Sequence, residues 1–148
     1  MKTANDASAK FVIQWLRLFF AIHLIFAGFR FIIFQEIPPS PGHVGEFVTA
    51  MEHIWMYQAV KWLEAFVGIL LLFDIAVPLA LVLEVPVTIT IFYLNTIVAG
   101  TALQKFTGPQ ELFLNGILLL AYGGYYARFL RVKAEPFWLW DGFRRKAE

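Results

Sequence analysis

The sequence predicts an all-α integral membrane protein: one domain, a four-helix bundle of membrane-crossing helices with an interfacial amphipathic helix between the first two. Three observations predict it. The 148 residues are 59% hydrophobic, with a mean hydropathy of +0.66. Charged residues make up 16% of the chain, where soluble proteins average about 25%. Four apolar stretches, 11–34, 59–77, 79–100 and 112–130, have the length a helix needs to cross hydrocarbon about 30 Å thick. The 16 Phe and 5 Trp exceed what a small water-soluble domain can hide, because small domains bury only part of their surface.

Residues 1–10 are polar and carry Lys2 and Lys10. The apolar run that follows is too long for a secretory leader, contains Arg17 and lacks a small-x-small cleavage site, so it is expected to be a retained first crossing. In the first connection, 44–58 sets Phe47, Met51, Ile54 and Trp55 at helical spacing against Glu46, Thr49, Glu52 and His53. That pattern predicts a helix lying in the outer interface. The second and third crossings are expected to form a tight antiparallel hairpin turning at Pro78. Pro86 lies inside the third and is expected to kink it, freeing a carbonyl that neighbours must satisfy. After the fourth crossing, the tail at 131–148 joins Phe137, Trp138 and Trp140 to Arg144, Arg145 and Lys146, a composition suited to inner headgroups.

Orientation follows from the flanks. Lys2 and Lys10 precede the first crossing, and Arg128, Arg131 and Lys133 join the basic tail at the last. The first connection carries Glu36, Glu46 and Glu52, and the third has Lys105 as its one basic residue. Positive charge on the cytoplasmic side then puts both termini inside, as an even number of crossings requires. The chain is expected to lie in a membrane, with lipids and other membrane subunits as partners.

Composition also excludes. A net charge of +1 supplies no basic field for nucleic acid. With no cysteine there is no disulfide, thiolate nucleophile or Cys-ligated cluster, so redox chemistry would have to come from a cofactor or partner. Bis-histidine haem ligation is not expected, because His23 has no counterpart on another crossing. His43 and His53, with Glu46 and Glu52, match no dedicated metal spacing, and no metal site is expected. There is no phosphate-binding loop and no defensible Ser/His/Asp arrangement.

Ionisable residues at membrane depth cost a few kcal/mol on insertion scales and usually turn inward to partners. By depth they form two layers. Arg17, Asp74 and Glu84 fall within about 10 Å of the cytoplasmic surface and are expected to form an inner ion cluster that is structural. Gln14, one turn before Arg17, can join it. Arg30, Lys61, Glu64, Asn95, Glu111 and Asn115 form an outer polar cluster to which all four crossings contribute. Lys61 and Glu64 are spaced i, i+3 and Glu111 and Asn115 i, i+4, so each pair shares a helix face. Glu84, Thr88, Ile91 and Asn95 line one stripe that can link the layers, and His23 lies near mid-membrane on the face of Arg30. Two readings stay open for the outer cluster. Its groups satisfy one another and fix helix register, or they form a pocket for a quinone headgroup, an anion or a proton path.

The same residues carry a family resemblance. The first crossing reads Leu16-Arg17-Leu18 and then Ala27-Gly28-Phe29-Arg30; the second reads Leu63-Glu64-Ala65-Phe66-Val67-Gly68; the fourth opens Glu111-Leu112 and carries Gly123-Gly124. This pattern resembles the DoxX/DoxD-like family of small bacterial membrane proteins across most of 11–130. The first connection is longer than the common pattern, with Pro38-Pro39, and the aromatic tail is additional. The resemblance implies a four-helix membrane bundle. It also implies a link to redox or sulfur metabolism, since the family is named from subunits of a thiosulfate:quinone oxidoreductase, and it singles out Arg17, Arg30 and Glu64 as family-type polar residues. Catalysis does not follow from membership.

Three functions are compatible with these features: an accessory or anchoring subunit of a larger inner-membrane complex, redox-linked through the resemblance; a quinone-binding oxidoreductase component; and a small transporter or channel along the stripe from Glu84 to Asn95. The first is favoured because the chain has almost no extramembrane domain. The small residues Ala27, Gly28, Gly68, Gly116, Gly123 and Gly124 are expected to let helices approach closely within the chain.

Overall fold

The computed structural model describes residues 4–35, 37, 40, 42–98 and 101–127. Among these there is no strand, and the regular elements are helices: α1 (Ala4–Phe34), α2 (Gly42–His53), α3 (Met56–Leu72), α4 (Val77–Phe92), a π-helical segment (Tyr93–Val98), α5 (Ala102–Ala121) and α6 (Gly123–Tyr126). Two helical stretches, Ala7–Phe34 and Val77–Val98, are long and apolar enough to cross a membrane. A third qualifies if α2 and α3, bent by 89°, form one broken span. Pro38, Pro39, Gly100, the end of the expected fourth crossing and the whole 131–148 tail lie outside the described residues.

Nothing inside α1 interrupts a helix, and its 31 residues run for about 46 Å. It stops where Gln35 turns left-handed (φ 54°). There the Gln35 N–H donates to the Phe31 carbonyl at 2.8 Å and its side-chain amide donates to the Ile32 carbonyl at 3.2 Å, satisfying carbonyls the helix end leaves open.

α1 packs chiefly on α3, and two glycines set how closely. A Cβ at Gly28 would lie 2.7 Å from the Lys61 carbonyl oxygen; one at Gly68 would lie 2.8 Å from Ile25 Cγ1 and 2.9 Å from its backbone nitrogen. Each backbone therefore fills the space a side chain would take on the other. Gly116, Gly123 and Gly124 meet nothing within 4 Å, so the expectation of close packing at the small residues divides between the two groups.

Boundaries shift from expectation for identifiable reasons. The surface helix expected at 44–58 ends at His53, because Trp55 turns left-handed (φ 62°) and α3 starts afresh at Met56. The hairpin reverses at 73–76, ahead of Pro78. Asp74 (φ 60°) occupies the left-handed C-terminal position of α3, and the Ile75 N–H reaches back to the Leu70 carbonyl at 2.9 Å, a Schellman-type close. Pro78 instead sits in the first turn of α4, where a missing N–H costs nothing. α4 continues through Pro86, and the Thr90 hydroxyl donates to the Pro86 carbonyl at 2.7 Å. α5 starts at Ala102, ten positions before the expected crossing. Thr101 and Gln104 form a reciprocal capping box there, with bonds of 2.8 and 3.3 Å.

Four helices share one apolar core. Phe20, Ala21 and Leu24 come from α1, Val67 and Leu71 from α3, Val77, Ala80 and Leu81 from α4, and Leu114 and Leu118 from α5. α4 lies chiefly on α5, while α3–α4 and α1–α5 contacts close the ring. Tyr126 of α6 donates its hydroxyl to the Pro78 carbonyl at 2.8 Å, tying the end of the described chain to the start of α4. Large apolar side chains such as Phe11, Trp15, Phe26, Trp62, Phe66 and Phe113 point outward.

Candidate functional site

The polar residues sort into two places, divided differently from the depth-based layers. At one, Arg17 of α1 reaches the C-terminal end of α3. Its Nη1 donates to the Leu71 carbonyl at 2.6 Å and lies 3.0 Å from the Asp74 carboxylate. A cation at the carbonyl end of a helix is favoured by the helix dipole. The left-handed turn at Asp74 presents its carboxylate to that cation, so the ion pair and the hairpin geometry support each other. Gln14, expected to join this cluster, is exposed on α1.

Glu84, grouped with Arg17 and Asp74 by depth, is not at this site. It is 0% exposed, and the charges within its reach are those of Glu64, Glu111 and Lys61. Depth fixes position along a helix but leaves its rotation open; α4 turns Glu84 inward to the second, larger place.

That second place draws on α1, α3, α4 and α5. Lys61 Nζ donates to Glu64 Oε2 at 2.6 Å, with the glutamate side chain 2% exposed. The Lys61 ammonium also lies 5.6 Å from the centre of the Tyr57 ring, within cation–π range. His23 Nε2 meets Glu111 Oε1 at 2.8 Å, joining α1 to α5 across the core. The Asn115 amide donates to the Thr88 hydroxyl at 3.2 Å, joining α5 to α4, and Thr88 itself donates back to the carbonyls of its own helix. Both Glu84 carboxylate oxygens, Glu111 Oε2 and Asn115 Oδ1 are buried with no hydrogen-bond partner among the described residues.

Two members of the expected outer cluster lie elsewhere. Arg30 is exposed on α1 and lines a groove of about 490 Å³ with Ile22, Ile25, Phe26, Phe29, Ile33 and Phe34. Asn95 is half-buried in the π-helical segment, beside Gly108 of α5. No protein family, characterised protein or solved structure matches the chain.

Chemistry must therefore be read from the side chains themselves. Glu64, Glu84 and Glu111 are all buried against a single lysine and a histidine, so acceptors outnumber donors. Such a set can hold protons or fix helix register. Glu64, Glu84, Thr88 and Asn115 are each at most 1% exposed, whereas the His23 side chain is 28% exposed. Tyr57, Gln58 and Thr96 join the polar interior without having been singled out from sequence; Tyr57 is four residues before Lys61, the spacing that brings it over the ammonium. Near α2, His43 Nδ1 lies 3.0 Å from Glu46 Oε2, both exposed. That hydrogen bond, with the glutamate charge, holds the His43 proton more tightly than in an ordinary histidine. Among the described residues no group of three or more His, Asp or Glu is placed to hold a metal ion.

Proposed function

We propose that this chain is a four-crossing bundle in a bacterial inner membrane, with both termini cytoplasmic, serving as an accessory or anchoring subunit of a larger complex. The observation that supports this reading best is the inverted distribution of polarity. Arg17, Glu64, Glu84, Glu111 and Asn115 are buried, while large aromatic and aliphatic side chains of the spans face outward. A chain whose polar interior is largely enclosed acts through its outer faces. The resemblance to DoxX/DoxD-like proteins adds the redox link. Extraction in a mild detergent followed by size-exclusion chromatography is expected to recover a stoichiometric membrane partner. A monomer that retains the cell's associated activity by itself overturns the proposal.

A second reading is favoured by one specific feature, the Arg30 groove. It is an open apolar face lined by α1 residues alone, and it carries one guanidinium. A quinone fits that description, with its carbonyl accepting from Arg30 and its ring and tail on Phe26 and Phe29. Under this reading Arg30→Ala lowers the quinone retained by the purified protein by at least fivefold, whereas Glu64→Gln leaves it unchanged. Equal retention in both variants removes it.

A further inference from the structure

We propose that the seam between α4 and α5 is a proton-binding site centred on Glu84, a property that stands independently of the subunit role above. Glu84 is 0% exposed and neither of its oxygens has a hydrogen-bond partner among the described residues. One turn on along α4, Thr88 accepts from the Asn115 amide at 3.2 Å, which fixes the two helices in register. That bond uses the donor end of Asn115 and leaves its Oδ1 buried and unpartnered, like Glu111 Oε2 one turn earlier on α5.

The seam thus presents oxygens that can only accept. A buried carboxylate without a donor is unfavourable; a carboxylic acid carries no charge and offers one O–H donor of its own. The neighbouring charges point the same way. Glu64 on α3 and Glu111 on α5 are buried carboxyl groups of the same interior. The ammonium of Lys61 on α3 is committed to Glu64 at 2.6 Å. His23 on α1 is directed to Glu111 at 2.8 Å. Among the described residues no cation pairs with Glu84, and the ligand that fits is a single proton. It is held as an O–H on one Glu84 oxygen, and its release leaves a carboxylate and one proton delivered to an acceptor outside the seam.

Infrared spectroscopy of the full-length protein in detergent tests this. Wild type at neutral pH is expected to show a protonated-carboxyl C=O stretch that is absent from the Glu84→Gln variant, whose neutral amide has the shape of the acid. A spectrum in which Glu84→Gln removes no such band overturns the proposal. If that variant does not fold, Asn115→Leu and Thr88→Val provide the second measurement. Each alters the polar surroundings of the acid and is expected to shift the band; a band unmoved in both counts against the site as drawn. Recording wild type in sodium chloride and in choline chloride distinguishes a metal cation. A proton site gives the same band in both, whereas a band that sodium abolishes makes the seam a sodium site and overturns the proton assignment.

Discussion

At the scale of single residues, the Lys61–Glu64 pair has the clearest energetic signature. Both side chains are largely enclosed, at 15% and 2% exposure, so each ion depends on the other. Lys61→Met strands the carboxylate and is expected to cost about 3 kcal/mol of unfolding free energy. The double change Lys61→Met with Glu64→Leu removes both charges and is expected to recover most of that loss. Denaturant titration in detergent measures both; a double variant no better than the single one would show that the pair is net stabilising. His43 offers an independent check at the surface. Its bond to Glu46 predicts that His43 titrates above the usual 6.5, keeping its proton to higher pH, and that Glu46→Gln brings the midpoint back. Histidine ring NMR against pH reads this directly. The residue scale is also where sequence reasoning was sharpest and where it failed. The Lys61–Glu64 bond matches the i, i+3 spacing; Glu111 and Asn115, i, i+4 on one face, are both buried but bond to His23 and Thr88 instead of each other. The burial of Glu84 and the pairing of His23 with Glu111 were not legible, since they depend on how α4 and α1 rotate about their axes, and a depth count carries no rotation.

At the scale of elements, the contact between α1 and α3 rests on backbone approach at Gly28 and Gly68. Gly28→Leu would drive a side chain into the Lys61 carbonyl and Ala65, and is expected to destabilise by about 1–3 kcal/mol. Gly116 is also helical but meets open space, so Gly116→Ala is expected to be neutral or to stabilise by up to about 1 kcal/mol through helix propensity. Thermal unfolding of the two variants side by side separates packing from propensity; similar losses in both would mean that the glycines do not set the helix spacing. Element boundaries were only partly visible in the sequence. Thr101 and Gln104 carry the T-x-x-Q capping signature, so the start of α5 at Ala102 was readable, but hydropathy drew attention to the apolar stretch beyond it. The reversals at Trp55, Asp74 and Ala76 were not readable, because none of these positions holds the glycine that usually marks a left-handed turn. Asp74 adopts it with an Arg17 ion pair as its compensation, a tertiary contact that no local pattern announces.

At the scale of the whole molecule, the proposed four crossings add α5 to Ala7–Phe34, Val77–Val98 and the bent α2–α3 pair. The 20 residues of α5 span about 30 Å, the thickness of the hydrocarbon, yet its first half contains Gln104, Lys105, Thr107, Gln110 and Glu111. In water such a helix would turn those polar groups out. Here Glu111 and Asn115 are buried with Leu114 and Leu118, whereas Leu103, Phe106, Phe113 and Leu120 are 65–83% exposed. That orientation fits apolar surroundings and supports the proposed crossing by α5, although Lys105 stays exposed. The absence of native cysteine makes the test clean, since any thiol introduced is the only one in the chain. In intact cells opened at the outer membrane, Thr49→Cys in α2 and Leu103→Cys at the start of α5 are expected to react with a membrane-impermeant maleimide, while Ile75→Cys in the α3–α4 turn reacts only after the inner membrane is permeabilised. A fluorescent-protein fusion at the C-terminus is expected to fluoresce, as it does when it folds in the cytoplasm. Three crossings would leave the labelling of Thr49→Cys and Ile75→Cys unchanged but move the C-terminus outside and silence the fusion, so the fusion is the measurement on which the count turns.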